Sequence, residues 1–124
     1  MPHITTWDST GIKWQFHGAV TSEEVDEANS EMYEDPRFDS IKYFIWDMSN
    51  VEKLIKNTLD NNRPVATDLG ASHINKNIRG ALIANEGDVY DSCNNYIKLS
   101  TNLNTTWKLK LFNDNESALK WLFF

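Results

Sequence analysis

Polar side chains capable of ligand contact lie in three short segments, at residues 47–50, 85–88 and 113–115. Each segment follows an apolar run typical of a strand, and ligands of α/β sheets tend to bind beyond the carboxyl ends of strands. The candidates for contact with a ligand or partner are Asp47, Ser49, Asn50, Asn85, Glu86 and Asp114. Because such residues also cap helices, we favour capping over ligand contact as their main role.

Asp47 has the most specific chemistry of these candidates. A carboxylate that ends a buried strand must accept hydrogen bonds or take a raised pKa, and a raised pKa suits a general base. An enzyme that uses Asp47 with a loop amide is therefore one hypothesis. The favoured interpretation is that loop amides near Ser49 or Asn50 donate to the carboxylate, so we assign no catalytic residue.

The other reactive side chains form no recognisable constellation. Cys93 lies on the predicted buried face of a helix, where cysteine acts as a small apolar residue, and no base accompanies it. His3, His17 and His73 have no second ligand at metal-binding spacing, and the five glycines form no phosphate-binding loop. We therefore predict no metal site and no cofactor.

The composition indicates one folded domain over residues 1–124, since 40% of the residues are hydrophobic. A net charge of −6 has the wrong sign for binding nucleic acid or an anionic membrane surface. The longest apolar run falls far below the roughly 20 residues of a membrane-spanning helix. With one cysteine and no signal peptide at the N-terminus, we expect a cytoplasmic protein without a membrane span.

The aromatic residues predict an interface. Five tryptophans are too many for one small core to bury completely, and the chain ends in four large apolar residues of which a helix can turn only some inward. The interface candidates are Trp107, Trp121, Phe123 and Phe124. We expect a homodimer through this surface, the competing possibility being that the final residues fold back over the opening hairpin.

The first elements can be predicted from periodicity and capping. Ile12, Trp14 and Phe16 alternate with polar residues, and residues 4–7 form a partner strand across a turn at 8–11, which predicts a hairpin.

A capping box at Thr21 and Glu24 begins a helix that Pro36 ends at about residue 35. The nearly continuous apolar run at 41–46 predicts a strand covered on both faces, followed by a polar loop at 47–50. The later predicted elements are a helix at about 62–75, a strand at 81–84, a helix capped by Asp88, an edge strand at 107–111 and a final helix with Asn113 as its N-cap.

Strands alternate with helices after the opening hairpin, which favours parallel strands in a mixed α/β sheet. The order resembles the SpoIIAA-like proteins, which share a fold with STAS and lipid-binding SEC14-type domains. The resemblance is carried by the strand and capped helix from Gly11 onward, the Tyr-Phe-Ile-Trp-Asp-Met-Ser segment at 43–49, the strand at 81–84 and the ending at 112–122. It implies a SpoIIAA-like mixed sheet, in an uncharacterised branch of the family.

The resemblance does not extend to the STAS phosphoswitch. STAS regulators carry a phosphorylatable serine in an Asp-Ser-Ser-Gly-type turn, whereas here residues 51–62 contain Thr58 as the only hydroxyl. The first hypothesis is a non-enzymatic binding or regulatory module that recognises a protein partner. The alternative is a carrier of a small apolar, lipid-like ligand in an aromatic-lined pocket.

Overall fold

The computed structural model describes residues 3–55, 77–85, 87–102 and 107–123. These residues form a five-stranded sheet with helices packed against it. The strands are β1 (His3–Trp7), β2 (Gly11–Thr21), β3 (Tyr43–Ile55), β4 (Arg79–Ile83) and β5 (Lys108–Phe112). The helices of the described residues are α1 (Ser22–Glu34), α2 (Asp88–Asn102) and α3 (Asn115–Phe123), with a short 3-10 helix at Pro36–Asp39. The predicted helix at 62–75 lies outside the described residues.

The sheet has the predicted mixed topology. Its strand order is β1-β2-β3-β4-β5, with β1 antiparallel to β2 and every other neighbouring pair parallel. One row of register partners, Gly11, Tyr43, Arg79 and Lys108, marks the amino edge of the four parallel strands. A second row, Asp47, Ile83 and Phe112, marks the carboxyl edge, where β4 and β5 end. The predicted α/β fold class is confirmed.

The opening hairpin forms where alternation predicts it. Asp8 closes the turn: its backbone amide donates to the Gly11 carbonyl over 2.9 Å, and its carboxylate accepts from the amides of Thr10 and Gly11 over 2.7 and 2.8 Å. The three alternating apolar residues of β2 are all buried.

Helix α1 begins and ends as its sequence predicts. The Glu24 amide donates to the Thr21 hydroxyl over 3.2 Å, and the Glu24 carboxylate accepts from the Thr21 amide over 3.4 Å, which completes the capping box. At the other end, Asp35 adopts an extended conformation before Pro36. The proline ring restricts the preceding residue to such conformations, so the helix cannot continue.

The polar loop predicted at residues 47–50 is wrong, because β3 continues through these residues to Ile55. The second half of β2 supplies the reason. It pairs with β3 from His17 opposite Asn50 to Thr21 opposite Ile55, across irregularities around Gly18, whose φ is +68°. Backbone pairing with a long neighbour keeps polar residues in a strand, and glycine permits the conformation that the irregularity requires.

The sheet is covered on both faces of β3, as its apolar run predicts. On the face that α1 and α2 cover, the larger cluster includes Trp14, Phe44, Trp46 and Trp107. On the opposite face, which we call the α3 face, the smaller cluster consists of Tyr43, Ile45, Ala81, Ile83 and Ala118. Alternate residues of β3 therefore enter two different cores.

Asn113 was predicted as the N-cap of the last helix, but Asp114 takes that position. Helix α3 begins at Asn115, and the Asp114 carboxylate accepts from the Ser117 amide over 2.7 Å and from the Ser117 hydroxyl over 3.0 Å. A carboxylate accepts stronger hydrogen bonds than a neutral amide and suits the positive end of the helix dipole. The ionised neighbour therefore displaces asparagine as the cap.

Candidate functional site

The carboxyl edge brings together Asp47, Ser49 and Asn85 from the predicted set. The Ser49 amide and hydroxyl donate to the same oxygen of Asp47 over 3.0 and 2.5 Å. The Asn85 side-chain amide donates to the Ser49 carbonyl over 2.6 Å, which ties the end of β4 to β3. These residues form one hydrogen-bonded network between β3 and the segment that follows β4.

Hydrogen bonds explain how Asp47 tolerates its burial. Its relative exposure is 9%, and Ser49 supplies two donors to the carboxylate. Such donors satisfy the hydrogen-bonding capacity of a polar group that burial removes from water. The interpretation in which a loop amide donates to Asp47 thus agrees with the geometry, although the amide belongs to a strand residue.

The remaining polar candidates do not join this network. Asn50 is exposed on β3 opposite His17, and Glu86 lies outside the described residues. Asp114 is engaged as the cap of α3, where hydrogen bonds from the amide and hydroxyl of Ser117 lower the pKa of its carboxyl. The carboxyl edge therefore presents capped and paired groups. Among the described residues, no three His, Cys, Asp or Glu side chains are grouped closely enough to hold a metal ion.

The expected exposure of Trp107 is wrong. Its relative exposure is 6%, and its ring packs at centroid distances of 6.4, 6.2 and 5.6 Å from Tyr33, Phe38 and Phe44. The 3-10 helix supplies Phe38, so a segment distant in sequence covers a residue whose position on an edge strand suggests exposure. Trp107 stabilises the core of its own chain.

The C-terminal aromatic candidates behave differently from one another. Trp121 is half-buried and lies 5.7 Å from the ring of Phe112. Phe123 is 52% exposed, although the edge of its ring contacts Tyr43 at a centroid distance of 5.1 Å. Phe124 lies outside the described residues. Of the four interface candidates, Phe123 offers the most open apolar surface among those described.

Sequence reasoning missed an open pocket at the amino edge, on the α3 face. Its volume is about 330 Å³. The residues that line this amino-edge pocket are Thr10, Lys42, Tyr43, Asn77, Arg79, Leu122 and Phe123. They come from the hairpin turn, the starts of β3 and β4, and the end of α3. Cationic, polar and apolar side chains thus meet around one depression.

Backbone hydrogen bonds hold the polar side of the pocket. The Lys42 amide donates to the Thr10 carbonyl over 2.6 Å, and the Arg79 amide donates to the Lys42 carbonyl over 3.1 Å. The Arg79 guanidinium donates to the Trp121 carbonyl over 3.1 Å and lies 5.7 Å from the Trp121 ring. A cation at a helix C-terminus satisfies a free carbonyl and the negative end of the dipole, so Arg79 anchors α3 against the sheet.

Tyr43 is the buried residue of the pocket lining. A Cβ added at Gly11 would lie 2.4 Å from its ring, so glycine is what allows the ring to lie over β2. Its hydroxyl donates to the Asp8 carboxylate. Burial and this hydrogen bond raise the pKa of Tyr43. Burial alone would raise the pKa of Asp8 as well, but hydrogen bonds from Tyr43, Thr10 and Gly11 lower it below 3.8.

The cations of the pocket remain available to a ligand. Lys42 is exposed, and its ammonium group makes no hydrogen bond or ion pair within the described ranges. The Arg79 guanidinium has five N–H donors. One of its nitrogens donates to the Trp121 carbonyl, so the donors on the other nitrogens remain for a ligand. A sequence signal for this site exists: Lys42, Arg79 and Lys108 stand at or just before the starts of three successive parallel strands.

Comparison with solved structures identifies the fold. The chain is similar to the crystal structure of an uncharacterized protein of the DUF3478 family with a SpoIIAA-like fold, from Shewanella loihica PV-4. The likeness has a TM-score of 0.55 and 17% sequence identity, and it covers 97% of this chain and 91% of that one. No protein-family model matches the sequence, and no curated protein matches it either. The predicted SpoIIAA-like fold is therefore confirmed.

The same comparison places limits on function. At 17% identity it establishes shared architecture, and fold alone does not determine activity. In the part of the chain that the structure describes, no helix combines the length and hydropathy needed to cross a bilayer. Function has to be argued from the two edges of the sheet.

Proposed function

We propose that this SpoIIAA-like domain is a non-enzymatic binding module, which recognises an acidic segment of a protein partner at the amino-edge pocket. The observation that carries the proposal is the pairing of two accessible cations, Lys42 and Arg79, with the exposed ring of Phe123 around one depression. Cations select acidic groups, while an exposed aromatic ring offers apolar contact area.

The shape of the pocket favours a protein segment over an enclosed small molecule. Its volume of about 330 Å³ is near the lower end of the range for ligand pockets, roughly 300–1,000 Å³, and it is open to solvent. A side chain or a short turn of a partner can enter such a depression while the rest of the partner covers its rim. The exposed position of Phe123 on that rim supports this mode of binding.

The electrostatic balance supports an acidic partner. The chain as a whole carries −6, and general repulsion would keep acidic proteins away. The pocket brings two positive charges together, and the Asp8 carboxylate of the hairpin turn is already engaged by Tyr43 and the turn amides. An acidic segment thus meets local attraction at the pocket, although the chain as a whole is negatively charged.

The carboxyl edge supports a non-enzymatic role. Its one buried carboxylate, Asp47, accepts two hydrogen bonds from Ser49, and the Ser49 carbonyl accepts from Asn85. A general base needs an open position within hydrogen-bond reach of a substrate proton. The amide and hydroxyl of Ser49 occupy one of the two carboxylate oxygens, Oδ1, which supports a structural role for Asp47 as an acceptor.

Selection from a random peptide library on the immobilised protein tests the proposal. We expect enrichment of peptides that combine Asp or Glu with an aromatic or aliphatic residue, and loss of that enrichment with Lys42→Glu. Lys98→Glu is the matched control, because Lys98 is an exposed cation on α2, away from the pocket. Equal enrichment by the wild-type protein and by Lys42→Glu would contradict the proposal, as would enrichment of basic peptides.

A second candidate function, a carrier of a small apolar ligand, is favoured by one observation. The indole N–H groups of Trp14 and Trp46 and the hydroxyl of Tyr96 are buried, and none of them has a hydrogen-bond partner among the residues that the structure describes. The three rings are contiguous, since Trp46 lies 6.1 Å from Trp14 and 5.3 Å from Tyr96. Each unpaired buried donor costs about 1–3 kcal/mol, so an oxygen of a bound molecule would relieve a substantial penalty.

Titration with decanoate tests the carrier function, because this molecule joins an apolar chain to an acceptor group. If the protein is a carrier, decanoate should change the tryptophan fluorescence saturably, and Tyr96→Phe should weaken its binding by removing one donor. Lys42→Glu serves as a control that leaves the aromatic cluster intact. Absence of a saturable change would eliminate this candidate and leave the peptide-binding proposal untouched.

A further inference from the structure

We propose that the occupant of the amino-edge pocket is a second copy of this chain, which contributes the acidic C-terminal end of α1. This inference rests on the proposed function and names its partner. It also predicts a reciprocal dimer, in which each copy supplies one pocket and one acidic end. The evidence is the distribution of charge and its position on the sheet.

The charges of the chain are strongly segregated. Residues 22–39, which form α1 and the 3-10 helix, contain eight acidic residues and one basic residue, a net charge of −7. Since the whole chain carries −6, the remainder carries +1. The acidity of this protein therefore belongs to one segment, and that segment is the complement of a cationic pocket.

The acidic segment and the pocket lie at the same edge of the sheet. Helix α1 follows β2 and leads back to the start of β3, so its C-terminal end lies at the amino edge, where Lys42 and Tyr43 begin β3. Glu31, Glu34 and Asp39 are exposed there. A two-fold axis beside this edge would face each acidic end toward the pocket of the other copy.

Helix α1 leaves its terminal charges uncompensated. Carboxylates near a helix C-terminus are disfavoured by the dipole, and the last turn of α1 contains no basic residue. The one cation of the segment, Arg37, is engaged by Asp35 at 2.7 and 3.0 Å and stacks 4.0 Å from the Trp7 ring. Within the described ranges, Glu31 and Glu34 form no ion pair. Cations from a second copy would remove this repulsion.

Two-fold symmetry would limit this assembly to a dimer. Complementary patches on opposite ends of a molecule produce open chains, whereas patches at one edge permit a closed two-fold dimer with two equal contacts. The exposed Phe123 on the pocket rim then lies inside the contact and supplies apolar area between the charged pairs.

Sedimentation of charge-reversed variants, separately and mixed, tests the dimer. Lys42→Glu alone and the double variant Glu31→Lys with Glu34→Lys alone should each weaken self-association by at least about tenfold, because each breaks both symmetric contacts by like-charge repulsion. An equimolar mixture of the two should associate again. In the mixed dimer, the reversed pocket of one copy meets the reversed acidic end of the other, and the native pocket meets the native acidic end, so both contacts are attractive. Lys98→Glu and Glu52→Lys are matched controls that should leave the dimer unchanged.

The outcomes separate the two proposals. A wild-type protein that stays monomeric at low salt overturns the dimer, while acidic peptides enriched by its pocket would still support the proposed function. A dimer that resists both reversals, or a mixture that fails to reassociate after each variant alone has dissociated, also overturns this inference. If neither dimerisation nor peptide enrichment depends on Lys42, the pocket itself is excluded as the binding site.

Discussion

The two edges of the sheet use their polar residues in opposite ways. At the carboxyl edge, Asp47, Ser49 and Asn85 form hydrogen bonds with one another. At the amino edge, the exposed ammonium group of Lys42 has no hydrogen bond or ion pair with any described residue, and it shares a pocket with the open ring of Phe123. The carboxyl edge is richer in the residue types that suggest chemistry, yet the amino edge has more capacity left for a ligand.

This difference shows that residue type alone is a poor guide to a binding site. Asp, Asn and Ser near strand and helix ends are good local acceptors and donors, so they satisfy the backbone and each other. Lysine at a strand start reaches away from the backbone and finds a partner only by tertiary proximity. A candidate site is therefore identified by the hydrogen bonds and charges that remain unpaired after folding.

The largest effect is expected at the centre of β3, which supports both edges. Ile45 is 3% exposed in the α3-face cluster, so Ile45→Ala should lower the free energy of unfolding by about 2–5 kcal/mol through lost burial and a cavity. Urea unfolding followed by tryptophan fluorescence measures the change. Glu52→Ala, an exposed change on the same strand, is the control, and an unchanged midpoint for Ile45→Ala would contradict the packing.

The second-largest effect is expected at the carboxyl edge, and it tests whether the two edges function independently. Asp47→Ala removes the acceptor of two Ser49 donors, which should cost about 1–3 kcal/mol of stability. Asp47→Asn retains a side-chain oxygen and should cost less. Peptide enrichment at the amino edge should persist in both variants, as measured on protein that remains folded. If a folded Asp47 variant loses its peptides, the functional distinction between the two edges is wrong.

Capping at the carboxyl edge gives a smaller effect. Asp114→Ala should lower the thermal unfolding midpoint, because the Ser117 amide in the first turn of α3 loses its acceptor. Asn113→Ala is the matched neighbour and should change the unfolding free energy by less than about 0.5 kcal/mol. Thermal unfolding of the two variants distinguishes them, and a larger loss at Asn113 would assign the cap to that residue instead.

The smallest effect concerns pH at the amino edge. Burial raises the pKa of Asp8, but hydrogen bonds from Tyr43, Thr10 and Gly11 outweigh burial and lower the pKa below 3.8. A depressed folded-state pKa contributes stability above the unfolded-state value, and this contribution is lost as the pH falls through the folded-state value. Urea midpoints of the wild type and Asp8→Asn should therefore differ more at neutral pH than below pH 3.8. A difference between the two urea midpoints that increases in acid would contradict this prediction.

Much of the fold is readable from local patterns. Alternation identifies the opening hairpin, the Thr21–Glu24 capping box begins α1, and the apolar run at 41–46 identifies a strand with two covered faces. The SpoIIAA-like architecture follows from their order. These features depend on residues within one turn or one strand of each other, where steric and hydrogen-bond preferences act directly.

The candidate site was only partly predictable. The carboxyl-edge residues can be named from sequence, because parallel strands bring their ends together. Whether those residues are free depends on pairings such as Asn85 with Ser49, which join residues 36 positions apart. The length of β3 also depends on pairing with a distant segment, because its polar residues alone do not indicate a strand.

The amino-acid sequence by itself determined the hairpin, the capping box of α1, the order of strands and helices along the chain and the uneven distribution of charge, because each is a property of neighbouring residues or of composition. Tertiary structure alone decided that Trp107 is buried beneath Phe38, and that Thr10, Lys42, Arg79 and Phe123 share one pocket. The physical reason is distance along the chain. Burial and charge proximity depend on which elements pack together, and that is a property of the whole fold.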